Sequence, residues 1–374
     1  MKITFVLGSG FNLSGGERVI SIYAEHLQKR GHEVYLVSRA KWKPSLRDQL
    51  KSLIRGKGWI KINPMSHFDH LDIPRKLTES YRPVVDADVP DGDVVIATWW
   101  ETGDWVWRLS PSKGVKVHFF QDYEIWGGKL EEVDAVSALP IPKIVIASWV
   151  QDLLKERFNQ VPLALIPNSV ETDKFYAPVR GKQPVPTVGI MYTPMKSKGS
   201  DISLEAYRIA KQTIPELRLV AFGSAKVLPE LPLPKDTNYA YCAPNEKLKD
   251  FYSQCDAWLF GTRREGFGLP ILEAMACRTP VIGTPAGAAP DLLVKGGGIL
   301  VKQEDPEDMA KAIIKICQMP ENEWKTMSDA AYNTATDYSW EEATDRFESA
   351  LFAAVNNAKI YNIQSEQSTA SISI

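Results

Sequence analysis

The chain has 374 residues, long for one compact core and suited to two domains of about 150 to 180 residues each. Its 44% hydrophobic and 24% charged content excludes wholesale disorder and a membrane-spanning class. A formal net charge of -2 argues against nucleic acid as the main partner, and four cysteines (Cys242, Cys255, Cys277, Cys317) without CxxC spacing exclude a disulfide scaffold and point to buried thiols in a reducing compartment.

The apolar run 3–7 reads as a first core strand, too short for a signal peptide or membrane helix. No other stretch reaches the roughly 20 apolar residues of a bilayer span, so a cytoplasmic protein is expected. Gly8-Ser9-Gly10 follows, without the third glycine of a dinucleotide fingerprint. A helix is predicted over 15–29, with Val19, Ile20, Tyr23, Ala24 and Leu27 on one face and Gly31 as its stop. Its opening glycines, Gly15 and Gly16, read either as amides offered to a phosphate or an acceptor, or as a plain turn.

After a strand at 33–37, seven cations (Lys41, Lys43, Arg47, Lys51, Arg55, Lys57, Lys61) stand between residues 41 and 61 against one acid, Asp48. Leu46, Leu50, Leu53 and Ile54 share a helical face there, flanked by Trp42 and Trp59. A solvated basic helix and contact with an anionic membrane that presents a lipid-linked acceptor both fit. A strand at 94–97 leads into Trp99, Trp100, Trp105 and Trp107 around Glu101 and Asp104. Such aromatic faces stack on sugar rings or pack into a core, and core packing is expected for at least two of the four. Strands at 115–120 and 144–147 complete this half, the former running into Gln121-Asp122-Tyr123-Glu124.

The pattern restarts after the Pro-rich stretch 178–186, with strands at 187–191, 217–222, 257–260, 280–283 and 299–301. The first of these leads through Lys198-Gly199 into a helix at 201–213, so both halves read as doubly wound α/β units with parallel sheets. Asp305 is the expected N-cap of a further helix with Pro306 in its first turn. A last helix spans about 340–355, and the polar remainder reads as a flexible tail.

Ligands of parallel sheets bind outside the carboxyl ends of the strands. There, Gly261-Thr262-Arg263-Arg264-Glu265-Gly266-Phe267-Gly268 runs from an apolar strand into a helix at 269–277. Its glycines and helix start suit a pyrophosphate, and Glu265 and Glu273 suit the hydroxyls of two sugar rings. From spacing alone, a surface loop with a solvated Glu273 fits about as well. The run Glu265-Gly-Phe-Gly-Leu-Pro-Ile-Leu-Glu273-Ala-Met-Ala-Cys-Arg-Thr-Pro-Val-Ile resembles the donor-site signature of the retaining group 1 glycosyltransferases. Gly15-Gly16-Glu17-Arg18, Ile166-Pro167-Asn168-Ser169-Val170, Lys198-Gly199 and Ala286-Gly287 match that family in the same order.

The resemblance implies a GT-B fold: two Rossmann-like domains facing a cleft, with the C-terminal helix crossing back to the first. On that reading 1–177 is the acceptor side, 178–339 binds the nucleotide sugar, 340–356 is the crossing helix and 357–374 the tail. Glu265 would bind the donor sugar and Glu273 the ribose, while Gly266, Phe267, Gly268 and Leu269 supply loop amides and Gly15 and Gly16 reach the distal phosphate. Lys198 matches the family lysine that neutralises the leaving diphosphate. The family's partner arginine is missing, and Lys196, Arg263 or Arg264 stands in for it.

At Gln121 many relatives carry histidine. The resemblance implies front-face transfer, in which the leaving phosphate oxygen takes the acceptor proton, so Gln121 reads as positioning a hydroxyl or as a strand-end structural amide. Asp122, Trp99 and Trp100 are the acceptor candidates, and the stretches 98–102 and 121–124 resemble polysaccharide-assembling, including rhamnose-transferring, members. The expected partners are therefore a UDP-, GDP- or dTDP-sugar and a glycan or lipid-linked acceptor, with no cofactor and no metal. A GT-B sugar-nucleotide isomerase or hydrolase and a non-catalytic sugar-nucleotide-binding protein are the competing readings.

Overall fold

The computed structural model describes residues 1–56, 58–61 and 63–371, side chains excepted at 359 and 361–371. Lys57 of the basic segment and residues 372–374 of the expected tail lie outside the described residues. The chain divides into two compact units, one comprising Met1–Ile146, Val150–Ile166 and the chain from Thr344, the other Ala147–Trp149 and Pro167–Ala343.

The first unit carries seven parallel strands: β1 (Lys2–Leu7), β2 (Glu33–Ser38), β3 (Arg75–Leu77), β4 (Val94–Ala97), β5 (Val115–Phe120), β6 (Lys143–Val145) and β7 (Ala164–Leu165), in the order β3-β2-β1-β4-β5-β6-β7. The second carries β8 (Thr187–Met191), β9 (Arg218–Gly223), β10 (Asn238–Tyr241), β11 (Ala257–Phe260), β12 (Val281–Gly283) and β13 (Gly298–Leu300), in the order β10-β9-β8-β11-β12-β13. Central strands such as β4 and β11 are buried along their whole length, because helices cover both faces of a doubly wound parallel sheet. In each sheet the winding reverses between two neighbours, β1 and β4 or β8 and β11, and the loops leaving their carboxyl ends meet there.

The strands that the sequence pattern does not predict, β3, β7 and β10, all lie at sheet edges. An edge strand packs fewer apolar side chains, and Arg75-Lys76-Leu77 has no apolar run to read. The division between units also falls upstream of the Pro-rich stretch where the sequence places it. Residues 167–177 pack with the second unit: Ser169 Oγ donates to Tyr338 O at 2.6 Å, and buried Phe175 meets the edge of Tyr252 at 6.1 Å.

The last helix, Trp340–Ser371, begins in the second unit and continues in the first from Thr344. In the first unit buried Phe347 stacks on Tyr23 with centroids 4.3 Å apart, and Glu348 accepts from Arg30 and His32 at 2.9 and 2.7 Å. The helix runs past the end predicted near residue 355, since no glycine or proline interrupts 356–371. Among the described residues no helix is long and apolar enough to cross a membrane.

Candidate functional site

In the second unit, the loops after β8 and β11 press together at the switch in strand order. Gly199 sits at φ 62, and a Cβ there would stand 1.7 Å from Gly261 O, so only glycine permits this approach. The amides of Arg263 and Arg264 donate to Ser197 O at 2.8 and 3.2 Å, locking the two loops edge to edge. Across this seam Lys198 Nζ meets Glu265 Oε2 at 2.6 Å. The cation and the acid expected from the sequence are thus neighbours, each with part of its side chain open to solvent.

Beyond Glu265 the chain turns into the helix Leu269–Ala276 through Gly268 at φ 99, a left-handed N-cap closed to other residues. Pro270 has no N–H and Ile271 N donates to Gly268 O at 2.9 Å, which leaves the amides of Phe267, Gly268 and Leu269 as the donors this turn offers an anion. The Phe267 side chain is buried, so only its backbone faces that task, and its carbonyl accepts from Ala288 N at 2.8 Å. Glu273, one turn further on, is buried rather than solvated, and the Tyr252 hydroxyl donates to its Oε2 at 2.7 Å. Tyr252 has no motif to mark it: it lies near the end of a separate helix, Asn245–Ser253.

Arg263, expected among the donor cations, is committed elsewhere. Its Nη1 donates to Lys196 O at 2.6 Å and Asp201 Oδ1 at 2.8 Å, its Nη2 to Asp201 Oδ2 and Glu304 Oε2 at 2.9 Å each, and its Nε to Glu304 Oε1. All five guanidinium donors are therefore occupied within the unit. The two carboxylates hold its pKa above the usual arginine value, and Arg263 in turn keeps the Asp201 carboxyl below the usual range. Arg263 fastens the loops after β8, β11 and β13, while exposed Lys196 and half-buried Arg264, whose amide donates to Ser197 O, remain as cations on the loops beside Lys198.

In the first unit, the loops after β1, β4 and β5 carry the other candidates. Gly15 and Gly16 open the helix Gly15–Lys29, capped by Ser14. Gly15 is exposed and a side chain there would meet nothing within 4 Å, whereas Gln121 sits against Gly16 and its Nε2 donates to Gly16 O at 3.4 Å. Gln121 is buried and acts at least as a structural amide that ties β5 to the helix start. Glu17, which the sequence marks only as part of a motif, accepts from Ser9 Oγ at 2.7 Å and Asn12 N at 2.5 Å, shaping the loop after β1. Burial raises the pKa of its carboxyl, opposed by those hydrogen bonds.

Of the four tryptophans only Trp105 enters the core, one fewer than expected. Trp107 is exposed with Lys116 over its ring, and Trp99 and Trp100 are half-buried. A Cβ at Gly8 would fall 2.8 Å from Trp99 and one at Gly128 2.4 Å from Trp100, so bare backbone accommodates both indoles. Glu124 accepts from Trp100 N at 2.7 Å, and half-buried Asp122 accepts from Tyr123 N at 2.7 Å. The indole Nε1 of Trp100 is buried without an acceptor among the described residues.

Among the described residues no three His, Cys, Asp or Glu side chains stand together as metal ligands. Two pairs have Asp-x-Asp spacing, Asp86/Asp88 and Asp91/Asp93, and both are otherwise engaged: Asp91 accepts from Ser112 Oγ and Lys113 Nζ at 2.8 Å each, and Asp93 accepts from Lys2 N at 2.7 Å. Asp88 accepts from Arg82 and lies 2.9 Å from Lys76, and Asp86 accepts from Ser110 N at 2.9 Å.

Two Rossmann-like parallel-sheet units make this a GT-B fold. The structure superposes on sucrose-phosphate synthase from Thermosynechococcus elongatus with a TM-score of 0.68 at 16% identity, covering 95% of this chain and 100% of that one. It superposes on Anabaena HepE, solved with UDP-glucose, with a TM-score of 0.68 at 15% identity, covering 94% and 100%. Residues 186–334 match the family model described as glycosyl transferases group 1, a stretch within the second unit that includes Lys198, Glu265 and Glu273. That stretch is what this chain shares with the group 1 glycosyltransferases.

Curated relatives align over part of their length. D-inositol 3-phosphate glycosyltransferase of Streptosporangium roseum is 29% identical over 117 residues, 31% of this chain and 26% of that protein. O-antigen chain mannosyltransferase B of Escherichia coli is 30% identical over 107 residues, 28% of this chain and 27% of that protein. The matches thus span about a quarter of each of these relatives.

Proposed function

We propose that the protein is a retaining glycosyltransferase that moves a hexose or deoxyhexose from a nucleotide-diphosphate sugar to a glycan or lipid-linked acceptor in the cytoplasm, in polysaccharide or glycoconjugate assembly. The observation that carries this reading is the Lys198–Glu265 pair at 2.6 Å, next to the amides that open the helix Leu269–Ala276. A diphosphate needs cations and amides, a sugar ring needs a carboxylate, and both sets of groups lie here on adjoining loops. Lys198, with Lys196 as the second charge, would neutralise the departing diphosphate. Glu265 would hold the donor sugar, and Glu273, oriented by Tyr252, the ribose. On the acceptor side Gln121, Asp122, Trp99 and Trp100 would position the incoming hydroxyl, whose proton passes to the leaving phosphate oxygen. The HepE structure with UDP-glucose supports a nucleotide sugar as the ligand class for this fold.

The test is a panel of labelled UDP-, GDP- and dTDP-sugars incubated with the protein and glycan or lipid-linked acceptors, with the product's anomeric configuration read by NMR. Label moved to an acceptor with the donor's configuration supports the proposal. A rearranged free sugar nucleotide, release of free sugar alone, or binding without turnover would each replace it, by an isomerase, a hydrolase or a binding protein.

A further inference from the structure

The helix Leu46–Ile54 is built inside out. Its buried residues are polar: Gln49 exchanges hydrogen bonds with the backbone of Ile60 (3.1 and 2.8 Å), and Ser52 Oγ donates to Gly58 O at 2.7 Å. Its aliphatic residues point to solvent, with Leu46 77% and Ile54 85% exposed and Leu50 and Leu53 exposed beside them. At about 100° per residue these four fill one arc of about 100°, and Arg47, Lys51 and Arg55 follow directly around the helix. Trp42 and Trp59 are both exposed; Trp42 precedes the Ser45 cap, and Trp59 lies on the returning segment between Gly58 and Ile60, which bond Ser52 and Gln49. The one acid, Asp48, is turned back onto the Ser45 cap, whose hydrogen bonds keep its carboxyl below the usual range.

An apolar strip edged by cations and flanked by indoles matches the boundary of an anionic bilayer, where acyl chains lie just beneath negatively charged headgroups. A second copy of this chain fits less well, since a two-fold interface on this face would bring Arg47, Lys51 and Arg55 towards the same cations of its partner. We propose that the helix Leu46–Ile54, with Trp42 and Trp59, docks the protein on an anionic lipid surface. The proposal stands apart from the donor site, and its test needs no transfer activity.

The test is co-sedimentation of the full chain with vesicles of phosphatidylcholine alone and of phosphatidylcholine mixed with phosphatidylglycerol. Binding is expected to the mixed vesicles only and to weaken as salt is raised. L50E/I54E should weaken it about tenfold or more, and R47Q/K51Q should weaken it by a similar factor and flatten its salt dependence. All four side chains are outside the core, so circular dichroism and the thermal midpoint should match the wild type. Failure of the wild type to bind the mixed vesicles, or full binding by folded L50E/I54E, would overturn the proposal. So would a dimer in analytical ultracentrifugation that L50E/I54E dissociates, which would make a second copy the occupant.

Discussion

Lys198 Nζ lies 2.6 Å from Glu265 Oε2, and the pair bridges the loops after β8 and β11 where the second sheet reverses its strand order. A cation and an acid are thereby held at the point where an α/β fold binds its ligand. If Lys198 neutralises a leaving diphosphate, Lys198→Ala should lower kcat by about 10²- to 10³-fold while donor affinity falls much less. Loss of this partly exposed ion pair should change stability by no more than about 1 kcal/mol, read as the denaturant midpoint. An unchanged kcat would remove Lys198 from the chemistry.

Arg263 fastens the loops after β8, β11 and β13, so its substitution should act through them. Arg263→Gln should weaken donor binding by loosening the loops after β8 and β13, with a small stability loss of about 1 kcal/mol because its partners are largely exposed. D201N/E304Q should weaken donor binding to a similar extent, since it removes the same clamp and leaves the arginine. Calorimetric titration of the donor decides the matter. Normal affinity in D201N/E304Q beside a large loss in Arg263→Gln would mean that the guanidinium binds the donor itself.

Tyr252 sets the carboxylate of Glu273. Removing that carboxylate with Glu273→Ala should weaken donor binding by about 1.5 to 3 kcal/mol, the range of a hydrogen bond to a charged group. Tyr252→Phe keeps the buried ring and loses only its hydroxyl, so a smaller loss of about 0.5 to 1.5 kcal/mol is expected. The effect should vanish in the Glu273→Ala background. Equal losses from Tyr252→Phe in both backgrounds would show that the hydroxyl does not act through Glu273.

His118 should make the protein acid-sensitive. Full burial, with help from the Lys143 charge on the neighbouring strand, pushes its pKa from 6.5 to about 3. The unfolded chain therefore binds the proton more readily. This contribution to stability is complete above about pH 6.5 and is lost at about 1.4 kcal/mol per pH unit as the pH falls towards 3. His118→Leu should show a thermal midpoint that declines less steeply below pH 6.5 than that of the wild type. Parallel curves would mean that the histidine is not kept neutral by the fold.

Much of this architecture could be read from the chain. The strands at 94–97, 115–120, 187–191 and 257–260 have the predicted bounds because central strands of a parallel sheet are apolar on both faces. Edge strands such as Asn238–Tyr241 carry no such run. Asp305 caps its helix as expected, by accepting from Asp308 N, because capping is local. The candidate site was legible where one loop contains its residues. It was not where partners come from afar, as with Arg263, whose acids lie 62 and 41 residues away, or Tyr252, which lies 21 residues from Glu273. No local pattern encodes which carboxylates will claim an arginine.

The most direct measurement is label transfer from a panel of nucleotide sugars by the wild type and by Glu265→Ala, run side by side. The wild type should move label from one donor class to an acceptor, whereas the variant, with an unchanged circular dichroism spectrum and thermal midpoint, should move none. Transfer by Glu265→Ala at the wild-type rate would contradict the role proposed for Glu265.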